Sequence, residues 1–446
     1  MRQKIDLLNG PVFSSLTKLA LPIMATSLVQ MAYNLTDMIW IGRISSSAVA
    51  SVGAAGMYMW FANGIAVLAK MGGQVKVGHA LGAGEKNEAC SYARNAIQLS
   101  LLLGFCYGIL CLVFHHPLIG FFRLNSAEVI HNAEVYLSIT CGLVIFSFLN
   151  QVFTGILTAM GNSRTSFLAT ASGLVINIFL DPVLIFGIGP FPRLDVTGAA
   201  VATVFAQAAV TVFFLISVRK EPEIFMNLRL FSRPQISVLK AIIRIGLPSS
   251  VQSMMFTGIS MIIARMVAGF GDAAVAVQKV GSQIESISWM TSDGFSAAVN
   301  SFIAQNFGAG NKERAKKGYR CAMMVVLLWG VFCTIVLVFF PAPIFRIFIP
   351  EDTVLPMGVD YLRILGVSQL FMCMEITTAG AFSGLGRTLP PSIVSISLTT
   401  ARIPLALLLI STPLGLNGIW WSITISSICK GLVLTTVFRK IAFQKY

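Results

Sequence analysis

Twelve runs of more than twenty mostly apolar residues occupy this chain almost end to end, at roughly 15–42, 48–74, 90–114, 129–157, 163–187, 196–218, 241–268, 273–306, 316–341, 357–384, 388–412 and 416–438. A helix needs about 20 such residues to cross the hydrocarbon of a bilayer. Inside lipid only helices and closed barrels satisfy their own backbone hydrogen bonds, and the period-2 alternation of barrel strands is absent here. The expected fold is all-α and integral to the membrane, with twelve transmembrane helices. Charge content agrees: 11% of the 446 residues are Asp, Glu, Lys or Arg, where a soluble domain carries about 25%. The first run is too long for a signal-peptide core and has no small-residue cleavage site, so it is expected to stay as a helix.

Basic residues set the orientation. With the N-terminus inside, the inner segments hold 22 of the 32 Lys and Arg, and the outer loops hold only Arg43, Arg123, Arg193 and Arg346. By the positive-inside rule both termini are expected on the cytoplasmic side of the cell's inner (plasma) membrane. The net charge of +14 would suggest nucleic acid in a soluble protein, but here it follows that bias and no nucleic-acid partner is expected. The longest polar stretch, about 219–240, is too short for an ATPase domain, and no GxxxxGK[ST] motif occurs. Uphill work would therefore draw on an ion gradient. Neither the eight Cys nor the four His fall in CxxC or HExxH spacing, so no disulfide framework, metal cofactor or other cofactor is expected. No catalytic set is present, so the chain is not expected to be an enzyme.

The chain also matches itself. A shift of 226 places Leu21-Pro22 on Leu247-Pro248, Ala48-Val49-Ala50 on Ala274-Val275-Ala276, Gly82-Ala83-Gly84 on Gly308-Ala309-Gly310, and Arg94 on Arg320. A shift of 225 then places Tyr136-Leu137 on Tyr361-Leu362, Gly155 on Gly380 and Gly161 on Gly386. Six spans per repeat is an even number, so the two halves are parallel. They are expected as two six-helix bundles related by a pseudo-twofold axis along the membrane normal. The expected organisation is an N-lobe over 1–218, a cytoplasmic linker over 219–240 and a C-lobe over 241–446. The two Gly-Ala-Gly turns read as helix ends rather than phosphate loops.

A carboxylate at span depth costs about 2.5–3.5 kcal/mol on insertion scales, so each needs a partner or a purpose. Four stand out: Asp37, Asp181, Glu285 and Glu375. Gln30, Asn34 and Asp37 follow one face of the first span, and Asn177 and Asp181 are one turn apart on the fifth. Asp37, Asp181 and Thr203 lie at similar depth, roughly 7–11 Å below the outer ends of their helices at about 1.5 Å per residue. Pro182 cannot donate to the carbonyl of Ile178, which frees a backbone oxygen at the same level. Two carboxylates, an amide, a hydroxyl and a carbonyl form an all-oxygen set suited to Na⁺ or a proton. The repeat does not copy this set: Asp37 falls on Ile263, Asn150 on Glu375, and Met59 on Glu285. Glu375 is expected either to neutralise Arg402 on the next span or to face substrate.

Taken together, Tyr33-Asn34-Leu35-Thr36-Asp37, Leu81-Gly82-Ala83-Gly84, Gly161-Asn162-Ser163-Arg164-Thr165, Asn177 to Asp181-Pro182, Gly198 to Thr203, and Gln305-Asn306-Phe307-Gly308-Ala309-Gly310-Asn311 resemble the MATE family of multidrug and toxic compound extrusion transporters over nearly the whole chain. That resemblance implies two six-helix lobes around a central cavity that export organic cations in exchange for H⁺ or Na⁺. In members with the ion site in the N-lobe, the positions matching Asp37, Asn177, Asp181 and Thr203 bind the coupling ion, and Asn150 matches a polar position nearby. A branch that uses acids on spans seven and ten is matched only by Glu375, which favours coupling in the N-lobe. The candidate cation-coupling residues are therefore Asp37, Asn177, Asp181 and Thr203, which would also be the metal ligands if Na⁺ couples. Gln30, Asn34, Asn150, Glu285 and Glu375 are candidates for the cavity. The expected partners are small organic cations or amphiphiles and the lipid bilayer, and the expected state is a monomer. The runner-up is a lipid or lipid-linked oligosaccharide flippase on a related two-lobe scaffold; against it, Arg265, Lys279 and Arg402 form no cluster in the sequence.

Overall fold

The computed structural model describes residues 5–122, 126–219, 225, 232–348, 351 and 353–441. Among them every regular element is a helix. In order these are α1 (Val12–Gly42), α2 (Ser46–Gly82), α3 (Lys86–Val113), α4 (His115–Gly120), α5 (Ala127–Gly142), α6 (Ile145–Ala159), α7 (Ser163–Phe186), α8 (Asp195–Val218), α9 (Ile236–Ala268), α10 (Asp272–Gly308), α11 (Lys312–Phe339), α12 (Pro341–Arg346), α13 (Leu355–Gly366), α14 (Gln369–Gly384), α15 (Leu389–Thr400), α16 (Arg402–Ile410) and α17 (Leu416–Ile441). The twelve expected spans each have a helical counterpart. Nine are long and apolar enough to cross a membrane, and two more, α5 with α6 and α13 with α14, are broken spans bent by 43° and 46°. The eighth, α10, has the length, 37 residues, but carries Gln278, Lys279, Gln283, Glu285 and Asp293 along it. Of the orienting residues, Arg2, Lys4, Arg123, Lys220, Arg229 and Lys445 lie outside the described residues.

Between α15 and α16 the helix breaks at Ala401. Pro404 explains the position: it has no N–H for the carbonyl of Thr400, and its ring crowds that oxygen. Arg402 consequently sits at the first turn of α16.

The chain divides into two compact units, one of Met1–Ile5 and Leu21–Ser250, the other of Asp6–Ala20 and Val251–Tyr446. The division falls inside α1 and α9, next to Pro22 and Pro248, each within its helix, rather than in the 219–240 segment. In the first unit, α2, α3, α6 and α8 share a core in which Ala69, Val77, Ala93, Ile97, Val152, Ile156 and Phe214 are buried, with Ile242 of α9 joining them. Small residues permit this packing where no hydrophobic drive separates helix from lipid. In the second unit Tyr361, Leu362, Phe345 and Trp420 centre the corresponding core, with the Tyr361 and Trp420 rings edge to face at 5.0 Å. In that unit the segment ahead of α1 is pinned to α10 and α11. Asn306 Nδ2 donates to the Leu7 carbonyl at 3.0 Å, and Arg314 donates to the carbonyls of Leu7 and Gly10.

The internal repeat is written in the backbone. Glu85 N–H bonds to Ala80 O at 2.9 Å and Asn311 N–H to Asn306 O at 2.8 Å, while Asn162 bonds to Leu157 at 2.8 Å and Arg387 to Phe382 at 3.0 Å. Each is the six-to-one bond of a helix C-terminus closed by a left-handed residue. That residue is Gly84, Gly310, Gly161 or Gly386, with φ of 78°, 74°, 78° and 73°. The first pair is 226 residues apart and the second 225, so the two registers read from sequence hold in the fold. The Gly-Ala-Gly motifs are the helix ends expected.

Candidate functional site

In the first unit α1, α5, α7 and α8 bring six polar side chains together. Asn177 and Asp181, one turn apart on α7, are fully buried, and Asn177 Nδ2 donates to Asp181 Oδ1 at 3.0 Å. The Asp37 carboxyl, from α1, faces that of Asp181. Thr203, from α8, faces the hydroxyls of Tyr33 and Tyr136. Asp37 and Thr203 are only 9% and 7% exposed, and the structure brings Asp37, Asn177, Asp181 and Thr203 into one buried group. Tyr33 and Tyr136 are additions. Tyr33 stands one turn before Asp37, a spacing that could have signalled it; Tyr136, on a fourth helix, gave no such signal.

Several polar atoms of the cluster make no hydrogen bond. Tyr33 Oη, Asp37 Oδ1, Asn177 Oδ1, Asp181 Oδ2 and Thr203 Oγ1 are buried without a hydrogen-bond partner among the described residues. A buried polar group left without a hydrogen bond costs about 1–3 kcal/mol, and more when charged. Among the described residues no Lys, Arg or His joins the group. Two apposed carboxyls in a dry environment repel strongly when both are ionised, and a single bound cation or proton relieves both that repulsion and the unmet acceptors. Oxygen donors of this kind suit a hard cation or a proton rather than a transition metal.

The other candidates are placed differently. Gln30 and Asn34 share α1 with Asp37 but are exposed, so the polar face expected there is buried only at Asp37. Asn150 on α6 ties that helix to α8: its Nδ2 donates to the Gln207 carbonyl at 2.9 Å and its Oδ1 accepts from Thr211 at 2.8 Å. His115 and His116, from α4, and Glu134, from α5, form one group that the sequence spacing did not foretell. There His116 Nδ1 is 2.7 Å from Glu134 Oε1, and His115 Nδ1 2.8 Å from the Leu112 carbonyl.

In the second unit the expected pairing of Glu375 with Arg402 is corrected. Glu375 Oε2 meets Lys430 Nζ, from α17, at 2.9 Å, and Ser395 Oγ donates to Glu375 Oε1 at 2.9 Å. Arg402 bonds instead to two hydroxyls of α17, Ser426 at 3.1 Å and Ser427 at 3.2 Å. The reason is reach: α17 packs along α14, α15 and α16, and its Lys430 extends a compact ammonium to the carboxylate. Glu285 accepts from Gln369 Nε2 at 3.3 Å and interacts with the Tyr361 hydroxyl. Lys279 and Arg402, which form no cluster in sequence, line one cavity of about 370 Å³ in this unit with Tyr361, Gln278 and Ser260.

A family model described as MatE matches residues 22–183 and 248–408, one copy in each repeat. The chain is 32% identical over 410 residues, 91% of its length and 87% of the relative's, to a probable multidrug resistance protein NorM of Thermotoga maritima. It is 25% identical over 445 residues, covering 99% and 97%, to a protein of Shewanella oneidensis named an FAD transporter. A crystal structure of MATE in complex with MaL6 superposes with a TM-score of 0.91 at 25% identity, covering 99% of this chain and 98% of that one.

Proposed function

Because the chain belongs to the MATE family of multidrug and toxic compound extrusion transporters, a multi-pass membrane family, we propose that it is a secondary-active exporter of organic cations and amphiphiles driven by antiport of H⁺ or Na⁺. The observation that carries this reading is the buried group of unpartnered oxygens on Tyr33, Asp37, Asn177, Asp181 and Thr203. Asp37, Asn177, Asp181 and Thr203 hold the ion in this scheme, and Tyr33 and Tyr136 orient the Thr203 hydroxyl. The coupling ion is the second cargo. When it binds, the two carboxyls are neutralised and the unit relaxes to the form that releases the exported molecule outward. When it leaves to the cytoplasm, the anionic charge returns and favours a cationic amphiphile. Ion and export cargo then bind with opposing preference, a reciprocal coupling free energy of the kind that exchange requires. Alternation of access between the two sides of the membrane, with both termini cytoplasmic, completes the cycle.

Efflux of a fluorescent cation from proteoliposomes, under imposed pH and Na⁺ gradients applied one at a time, tests the reading and identifies the ion. Asp37→Asn and Asp181→Asn are expected to insert normally yet lose gradient-driven efflux by tenfold or more, a loss of roughly 1.4 kcal/mol of coupling or greater. Wild-type efflux from Asp37→Asn would remove this cluster from the mechanism.

A further inference from the structure

The two units differ in charge at a related position. In the 225-residue register that Gly161 and Gly386 anchor, Asn177 of the first-unit cluster corresponds to Arg402. Where the first unit sets an amide beside an acid, the second sets a guanidinium that does not deprotonate in proteins. Arg402 is 7% exposed, and its contacts are the neutral hydroxyls of Ser426 and Ser427. Among the described residues no carboxylate lies within ion-pair distance of it. Of the two nearby acids, Glu375 is paired with Lys430 and Ser395, while Glu285 accepts from Gln369 and interacts with Tyr361; both attract Arg402 only across a longer distance. A cation so deep in an apolar unit, lacking a direct counter-ion, marks a functional position by default.

Arg402 also lines the cavity of about 370 Å³, with the exposed Lys279 on another wall. Gln278 and Ser260 add neutral polar groups, and Ile263 and Ile423 give the wall an apolar part. Among the described residues no Asp or Glu lines it, and Glu285 lies behind the Tyr361 wall. Its size lies within the range of about 300–1,000 Å³ that holds small organic ligands, and its lining, apolar with a few converging charges, has their usual pattern. We propose that this cavity binds the oxyanion group, carboxylate, sulfonate or phosphate, of a soluble amphipathic organic anion or zwitterion. Arg402 receives two oxygens through its planar donor fork, Lys279 adds a mobile point charge at the edge, and the apolar wall takes the hydrocarbon part of the ligand. The inference extends the export reading by adding acidic cargo to cationic cargo, and its binding test stands apart from transport.

The test uses the full chain in neutral-detergent micelles and a matched pair of xanthene dyes, fluorescein as the anion and a rhodamine ester as the cation, followed by fluorescence anisotropy. Fluorescein is expected to bind, and Arg402→Gln to weaken it by about tenfold or more, with Arg402→Lys restoring part of the loss. Lys279→Gln, at an exposed position that does not endanger folding, is expected to weaken it by about threefold or more. Binding of the rhodamine ester should hold or tighten in both, because each removes a positive charge. Unchanged fluorescein affinity in Lys279→Gln and in a well-folded Arg402→Gln overturns the proposal, as does a parallel loss of both dyes. Displacement of the dye by phosphatidylglycerol but not by soluble aryl sulfonates would make the occupant a lipid headgroup and also overturn it. If efflux fails to depend on Asp37 while fluorescein binding follows Arg402, the coupling reading falls and the cavity stands; the reverse result separates them the other way.

Discussion

Replacing Lys430 by methionine leaves Glu375 in a nearly closed environment with one hydroxyl for company. The ammonium and carboxylate are 2.9 Å apart, with side chains only 7% and 9% exposed, so solvent screens them little. At an effective permittivity of about 20 their attraction is roughly 6 kcal/mol. Desolvating two ions costs several kcal/mol each, which offsets most of that gain, so the pair as a whole adds little net stability. Removing one partner is another matter, because the desolvation penalty of the other stays: the expected loss is about 3–5 kcal/mol. Ser395 Oγ still donates to Glu375 and keeps the figure toward the lower end. Stepwise denaturation in mixed micelles, read by tryptophan fluorescence, measures it. Lys430→Met and Glu375→Gln should each be costly, and the double variant should recover most of either loss. Glu375→Gln with Arg402→Gln should show much weaker coupling, since Arg402 bonds to Ser426 and Ser427. A loss below about 1 kcal/mol in Lys430→Met, or strictly additive losses in the first double variant, would refute the assignment of this pair.

Two glycines of α9 make a second, internally controlled test. A Cβ on Gly246 would run into the Leu68 carbonyl oxygen, whereas one on Gly258 meets nothing within 4 Å. Gly246→Ala is expected to destabilise by about 1–3 kcal/mol, and Gly258→Ala to be neutral or to stabilise by up to about 1 kcal/mol, both measured by thermal unfolding. A third test concerns pH. Backbone hydrogen bonds, that from Asn9 foremost, with Leu8 and the charge of Arg314 adding, hold the Asp6 carboxyl below its ordinary value of 3.8 against a partial opposing effect of burial. Because the folded value is depressed, its contribution is complete at neutral pH. It declines as pH falls past 3.8 and is lost below the native value. Asp6→Asn should flatten that acid limb of the stability curve slightly, as solvent exposure limits the effect, and an unchanged limb would count against the loop contacts.

The spans were legible because length and apolarity alone decide them, and even the less apolar α10 showed its helix through its extent. The breaks were not. Neither Gly142 nor Gly366 announces in sequence that α5 and α13 stop where they do, since lone glycines in apolar helices are common. The acidic cluster could be read because Asp37, Asp181 and Thr203 occupy matching depths on helices of known direction. Partner choice could not: Lys430 is 55 residues from Glu375, and only the azimuth of α17 about its axis, set by packing, selects it over Arg402. The same packing gathers Lys279 and Arg402, which lie 123 residues apart in the chain.

The boundaries of the two units bear on how this protein can be taken apart. Residues Asp6–Ala20 belong to the unit that otherwise begins at Val251, and within them Leu7, Leu16, Leu19 and Ala20 are at most 1% exposed. A gene fragment started at the midpoint of the duplication would therefore produce a half stripped of its own N-terminal plug, and its complement would carry a plug with nowhere to seat. Either bundle is better studied by co-expressing the halves, or by a circular permutation that reattaches this short piece to the second half.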